Sequence, residues 1–307
     1  MTLVLSKITA FFRKKSNRNR TVSLAITYIV LGGIGFVFIY PIIIMLLKSF
    51  FSPEALTDPT VKWLPTSLFF GNYGEAYNTL DFLKSFGTSL LISTLSALLQ
   101  TFSAALVGFG LARFNFPLKK FWVVLIVATF IIPTQVTLVP RYVLFNEFGI
   151  IESLWTAFLP ALFGQGLKSA LFIMIFTQFF GSYPVALDEA AEIDGAGKIK
   201  VFYKMAIPMS IPAIVLTFLF SFIWYWNETS QFNLFFGSAI STLPMQLQRF
   251  TALYETLYGG AADGAVSAAN QSIIYAGTTL SILPITVMYL CLQRQFIESI
   301  EKTGIVG

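Results

Sequence analysis

Histidine is absent from the 307 residues and cysteine occurs once. Without histidine the commonest general base, proton shuttle and metal ligand is missing, and one thiol supplies neither an internal disulfide nor a soft-ligand metal site. That thiol, Cys291, stands in an apolar run and reads as inert and buried. Charge is also scarce: 11% of the residues are Asp, Glu, Lys or Arg, about half the usual share of a soluble domain. Apolar residues take their place, at 56% of the chain and with 33 Phe, a balance suited to a bilayer as solvent. The net charge of +5 does not point to nucleic acid, because the basic residues adjoin apolar stretches instead of forming one basic face.

Six segments are long and apolar enough to cross a hydrocarbon core of roughly 30 Å as helices. They are 22–47, 86–111, 121–139, 153–181, 209–226 and 273–292. The chain therefore reads as an all-α, polytopic membrane protein of six transmembrane helices. A basic tail at 1–21 precedes a membrane domain at 22–292, and a second tail follows at 293–307. The first apolar run is too long for a signal-peptide core and no small-residue cleavage site follows, so it is expected to remain as a helix. Lys and Arg crowd the N-terminal tail, the loops after the second and fourth spans, and the C-terminal tail. On the other side stand only Lys48, Lys62, Lys84, Arg141 and Arg249, while Lys168 falls within a span. This bias puts both termini in the cytoplasm. The long outer segments carry Trp63, Phe69, Phe70, Tyr73, Tyr77, Phe232, Phe235 and Phe236. These rings are expected at the headgroup level, with a docking surface for an external partner as the alternative.

The inner loop between the fourth and fifth spans, at 182–208, is the most informative stretch. Ser182 is placed to cap a helix that Pro184 begins, followed by Asp188, Glu189 and Glu192. Asp194-Gly195 is a turn signal that stops it, and a second helical piece over 198–206 leads to Pro208 and Pro212, which open the fifth span. The loop is thus a compact helix-turn-helix. Ala190, Ala191 and Ala196 leave room for another surface to approach closely, and Asp188, Glu189, Glu192 and Asp194 give that approach electrostatic direction.

Glu189-Ala190-Ala191, Asp194-Gly195-Ala196, Phe202, Pro208 and Pro212 resemble, at matching spacing, the cytoplasmic signature of binding-protein-dependent ABC importer permeases. The run 112–117, the segment 132–136 with Pro140 beyond it, and Trp226-Asn227-Glu228 resemble the carbohydrate branch, which includes the six-span maltose-type permease subunit. The resemblance runs from about Phe70 to the end. It departs in the tail, where Gly304-Ile305-Val306-Gly307 lacks the Lys usual before the last Gly and Ser299 stands where Gly is common. It implies a type I importer permease fold and alternating access, in a bacterial or archaeal cell membrane. The loop would be a coupling helix seated in a groove of a separate ATPase subunit, present in two copies. Glu189 would orient the helix, Ala190, Ala191 and Ala196 would permit the fit, Asp194 would stand at its end, and Gly195 would make the turn. The remaining implied partners are a second permease, an extracytoplasmic solute-binding protein and a sugar or oligosaccharide cargo.

Polar side chains within the spans are costly in lipid and tend to face the bundle interior. Gln135, Gln165, Lys168, Tyr225, Trp226 and Asn227 are the candidates for the substrate path, since amides and aromatic faces suit an uncharged, hydroxyl-rich cargo. Gln100 and Gln178 are read first as bonds between helices. Gly164-Gln165-Gly166 interrupts the fourth span. It marks either a broken helix lining a cavity or the outer end of a helix beginning near Gly166, with Lys168 reaching the interface. Catalysis is not expected, nor any cofactor or metal. Gly195-Ala196-Gly197-Lys198 is no phosphate loop, because Glu192 stands where the first Gly is needed and Ile199 replaces the Ser or Thr. The acids lie in loops or, for Glu228, at a span end, which speaks against proton-coupled transport. Sodium coupling through backbone carbonyls stays open as an alternative, as does an importer for a non-sugar solute.

Overall fold

The computed structural model describes residues 2–58, 63–65, 67–258 and 265–304, without the side chains of 2–21, 57, 265–270 and 295–304. The expected tails therefore lie largely outside the described side chains. All regular elements among the described residues are helical. The chain divides into two compact units, 1–75 with 262–279 and 76–261 with 280–307.

The first unit holds α1 (Thr2–Lys48), α2 (Pro53–Thr57), the start of α3 (Gly71–Thr79) and the first turns of α16 (Ala265–Gly304). No residue of 22–48 is buried, as expected where lipid replaces a protein neighbour. The chain then turns back: the Asn72 amide donates to the carbonyls of Ser49 and Phe51, both at 2.8 Å. Those carbonyls follow the last turn of α1, where a helix leaves acceptors unpaired.

The second unit is built on α4 (Phe82–Arg113), which packs against α7 (Trp155–Leu162), α8 (Ser169–Ser182) and α12 (Ile211–Asn227). Its buried positions are mostly small, including Ser85, Ser89, Ser93, Ala97, Ala104 and Gly108. In lipid, where apolar surface gives helices no reason to associate, such residues let backbones approach. A Cβ at Gly108 would lie 2.5 Å from that of Phe176, so α4 and α8 cross there only because the side chain is missing. At the Arg113 end of α4, Phe109, Phe172, Phe176, Phe180 and Phe202 form one apolar core. At the Phe82 end, Ile92, Phe145, Phe158, Tyr225, Phe235 and Met245 form another.

Three helices are long and apolar enough to span a bilayer by themselves, over 22–48, 82–113 and 271–294. Three more candidates are bent pairs, which bring the total to six. The expected third span, 121–139, is not straight. It breaks at Ile132 and Pro133 into α5 (Lys119–Ile131) and α6 (Thr134–Glu147), bent by 102°. Pro133 drives its predecessor out of helical geometry, and Ile132 is extended at ψ 124°. The fourth, 153–181, divides into α7 and α8 around 163–168, where Gly164 and Lys168 both have positive φ. The 13 residues of α5 and 14 of α8 give lengths of roughly 20 Å, short of the hydrocarbon thickness.

Two expectations about burial are corrected. Phe232, Phe235 and Phe236 stand neither at the headgroups nor on a docking surface: they are buried, because α13 (Ser230–Phe236) folds back onto α6 and turns one face inward at three- and four-residue spacing. Cys291 is exposed, since on the membrane-spanning part of α16 an apolar run faces outward, together with Leu290.

Candidate functional site

Helix α9 (Val185–Ile193) leaves α8 at 72°. Ser182 does not cap it, as the sequence suggested; its hydroxyl donates to the Phe179 carbonyl at 2.7 Å and finishes α8, while Pro184 stands at the N-cap. At the other end the Gly195 and Ala196 N–H groups donate to the carbonyls of Glu192 and Ala191, at 3.0 and 2.9 Å. This pair of bonds closes a helix through one left-handed residue, and Gly195 takes that place with φ +79°. A Cβ there would meet nothing within 4 Å, so the turn stands open to its surroundings. A second helical piece follows as expected: α10 (Lys198–Val201), a π-helical turn (Phe202–Ala206) and α11 (Ile207–Met209), up to α12.

The four acids of the loop part company. Asp188 is buried and does not face a partner: its carboxylate pairs with Arg113 at 3.2 Å and accepts from the Tyr183 hydroxyl at 3.1 Å. The Arg113 guanidinium also donates to the Tyr183 carbonyl at 2.8 Å and lies 3.6 Å from the centre of the Tyr183 ring. Burial pushes the Tyr183 phenol above its usual range, against the opposing pull of Arg113. Glu192 forms an exposed ion pair with Lys198. Glu189 and Asp194 remain exposed beside Leu187, Ile193 and Ile199, with Ile193 at 87% exposure. Ala190 is exposed too, whereas Ala191 and Ala196 pack against the core at the Arg113 end. The loop is therefore tied to α4 through one buried charge pair and presents an apolar, acidic face.

The candidates for the substrate path separate in the same manner. Gln165 and Lys168 line a cavity of about 140 Å³ together with Thr129, Thr134, Thr137, Arg141, Ser169 and Gln231. Gln135 is exposed on α6, and Asn227 is exposed with its amide bonded to the Ile223 carbonyl. Trp226 is buried among aromatic rings, including Phe222 at 5.7 Å. Tyr225 is buried as well: its hydroxyl donates to Gln100 Oε1 at 2.8 Å and accepts from the Leu167 N–H at 3.2 Å. The Gln100 amide in turn donates to the Leu167 carbonyl at 2.6 Å and to Ser221 Oγ at 3.1 Å. These bonds fix the segment that breaks the fourth span against α4 and α12. Gly166 sits so close that a Cβ would collide with Gln100 and Tyr225. Both readings of Gly164-Gln165-Gly166 thus hold in part: the segment lines a cavity, and α8 begins just beyond it.

Sequence reasoning passed over Arg113 as a site residue. A lone cation ending an apolar span reads as a marker of orientation, and nothing local says that its partner stands on another span.

A bundle of bent and straight apolar helices, with a short polar helix fastened across one end, defines a multi-span membrane component of a transport machine. Residues 104–302 match the family model described as "Binding-protein-dependent transport system inner membrane component", and the chain belongs to that family. It is 27% identical over 269 residues to the "Probable ABC transporter permease protein YurM" of Bacillus subtilis (strain 168), covering 87% of this chain and 84% of that protein. It is also 27% identical over 290 residues to the "Melibiose/raffinose/stachyose import permease protein MelC" of the same organism, covering 94% and 99%. The fold is shared with a chain of the crystal structure of a bacterial ABC transporter involved in the import of the acidic polysaccharide alginate. That likeness has a TM-score of 0.73 at 20% identity, over 91% of this chain and 98% of that one.

Proposed function

We propose that the chain is a permease subunit of an ATP-driven importer for a sugar or oligosaccharide, working by alternating access. The observation that carries this reading is α9, closed at Gly195, anchored to α4 through Arg113 and Asp188, and exposed on its far side. In this reading the exposed face of Glu189, Ala190, Ile193, Asp194 and Gly195 seats in a groove of an ATPase subunit, present in two copies. Closure of that subunit pushes α9, and the Arg113 pair passes the displacement to α4. Gln100, farther along α4, holds the Leu167 backbone, so the same helix reaches the segment beside Gln165 and Lys168. The chain itself performs no catalysis. The basic segments put α9 and both termini in the cytoplasm of a bacterial or archaeal cell. A second, different permease completes the pore, and an extracytoplasmic binding protein delivers the cargo. The import of melibiose, raffinose and stachyose named for MelC supports a carbohydrate cargo.

The test is purification of the tagged chain in mild detergent from its native membrane, followed by uptake in proteoliposomes. An ATPase, a second permease and a solute-binding protein are expected to come with it, and sugar uptake is expected to follow ATP. A well-folded chain recovered alone, or uptake that follows an ion gradient, overturns the reading.

A further inference from the structure

The cavity beside Gln165 carries more positive character than an uncharged cargo needs. Arg141 and Lys168 both line it, and no acidic side chain does among the described residues. The nearest explanation, an internal counter-ion, is missing. Arg141 reaches only the Gln231 carboxamide, at 3.3 Å, and the Lys168 ammonium lies 5.8 Å from the centre of the Phe130 ring. Glu228, close in sequence to Gln231, accepts from the Gln231 N–H at 2.9 Å and is not among the lining residues.

Two further features point the same way. The 14-residue helix α8 begins at this wall, with Ser169 and Ala170 among the lining residues, so the positive end of its dipole faces the space. The Ser169 side chain, 4% exposed, lines the cavity, and its buried hydroxyl has no hydrogen-bond partner. A buried hydroxyl without a partner carries a desolvation cost that a ligand oxygen would remove. The amides of Gln165 and Gln231 and the hydroxyls of Thr129, Thr134 and Thr137 supply donors for neutral oxygens around the charged group. At about 140 Å³ the cavity is well below the few hundred Å³ of a site enclosing a whole drug-sized ligand. It suits one charged end of a longer molecule.

We infer that this cavity takes the carboxylate of an acidic sugar unit, so that the cargo is a uronate-bearing saccharide instead of a neutral one. The inference rests on the importer reading above and names the substrate class of the same path. Lys168 and Arg141 would hold the charge, and Ser169 would donate to one carboxylate oxygen. The Gln100 and Tyr225 bonds to Leu167 keep this wall in place from behind.

The test uses the assembled importer in proteoliposomes, with digalacturonate and its methyl ester as paired cargo differing in charge. The acid-to-ester uptake ratio of the unaltered protein is expected to be well above one. It should fall by about tenfold for each charge removed in Lys168→Gln and Arg141→Gln, the size of one charge-assisted hydrogen bond. Lys168→Arg should keep most of it. A ratio at or below one in the unaltered protein overturns the inference, as does a double variant with an unchanged ratio; the first measurement decides alone if a variant does not assemble. Uptake of neutral sugars with neither galacturonate carried overturns it and leaves the importer reading standing. ATP-independent failure to carry any sugar ends both. An effect of the variants on acid and ester alike, seen only in vesicles containing anionic phospholipid, assigns the cavity to a lipid headgroup and also overturns it.

Discussion

The two ends of α4 hold their neighbours by different chemistry. At the Arg113 end a full charge pair, closed in by the Tyr183 ring, fixes a helix whose outer face is bare. Toward the middle, Gln100 fixes a loop through neutral bonds to Tyr225, Ser221 and the Leu167 backbone, and that loop is walled in. A buried ion pair is intolerant: with one partner removed, the other is an unpaired charge in an apolar place. Neutral bonds lose less when one is cut, and their geometry gives more readily. An all-or-none attachment at the end that is pushed, and a graded one at the end that holds cargo, is the arrangement the comparison teaches.

The largest effect should come from Gly195→Trp. Any side chain at φ +79° strains the turn by about 1–2 kcal/mol, yet the turn has open space, so the chain should fold. In the assembled importer, ATP-driven uptake should fall to background while ATP hydrolysis continues; normal uptake would remove Gly195 from the coupling surface. Next is Arg113→Met, which leaves Asp188 buried without its counter-charge and should lower stability by about 3–5 kcal/mol, read as an earlier thermal transition in detergent. Adding Asp188→Leu should restore most of that loss, and failure to do so would mean the pair acts through more than its charges. Tyr225→Phe deletes one hydroxyl that serves two bonds and should cost about 1–3 kcal/mol, less than Arg113→Met in the same assay. The smallest change is expected of Glu192→Gln, since its partnership with Lys198 is exposed and such pairs contribute about 0–1 kcal/mol. A large loss there would show that Glu192 meets something other than Lys198.

The coupling loop was legible because its signals are local. Pro184 and Gly195 act on the backbone within a residue or two, and both stand where a helix starts or stops. The spans were legible as apolar runs, but their straightness was not, because hydropathy counts side chains and Pro133 works through the backbone. What joins distant segments left no trace in composition. Asp188 looks like any acid in an acidic loop until Arg113 is beside it, and Gln100 and Tyr225 sit on separate spans. Phe232 and Cys291 show the inverse ambiguity: in a membrane protein an apolar residue has two proper surroundings, the core and the lipid, and the alphabet alone does not choose between them. Gln165 and Lys168 were singled out for polarity within a span, whereas Arg141 and Ser169, which share their cavity, were not.

The wide turn at Phe202–Ala206 bears on how this family of sequences can drift. A π-helical turn holds one residue more than an α-helical turn, so deleting one there restores the ordinary repeat with little loss of backbone bonding. Everything beyond it would be rotated by about 100° relative to everything before it. Val201 and Phe202, which pack into the core, and Ala213, which does so from the start of α12, would then no longer point the same way. That turn acts as a phase setting between the lever and the span, and its length is heritable in steps of one residue.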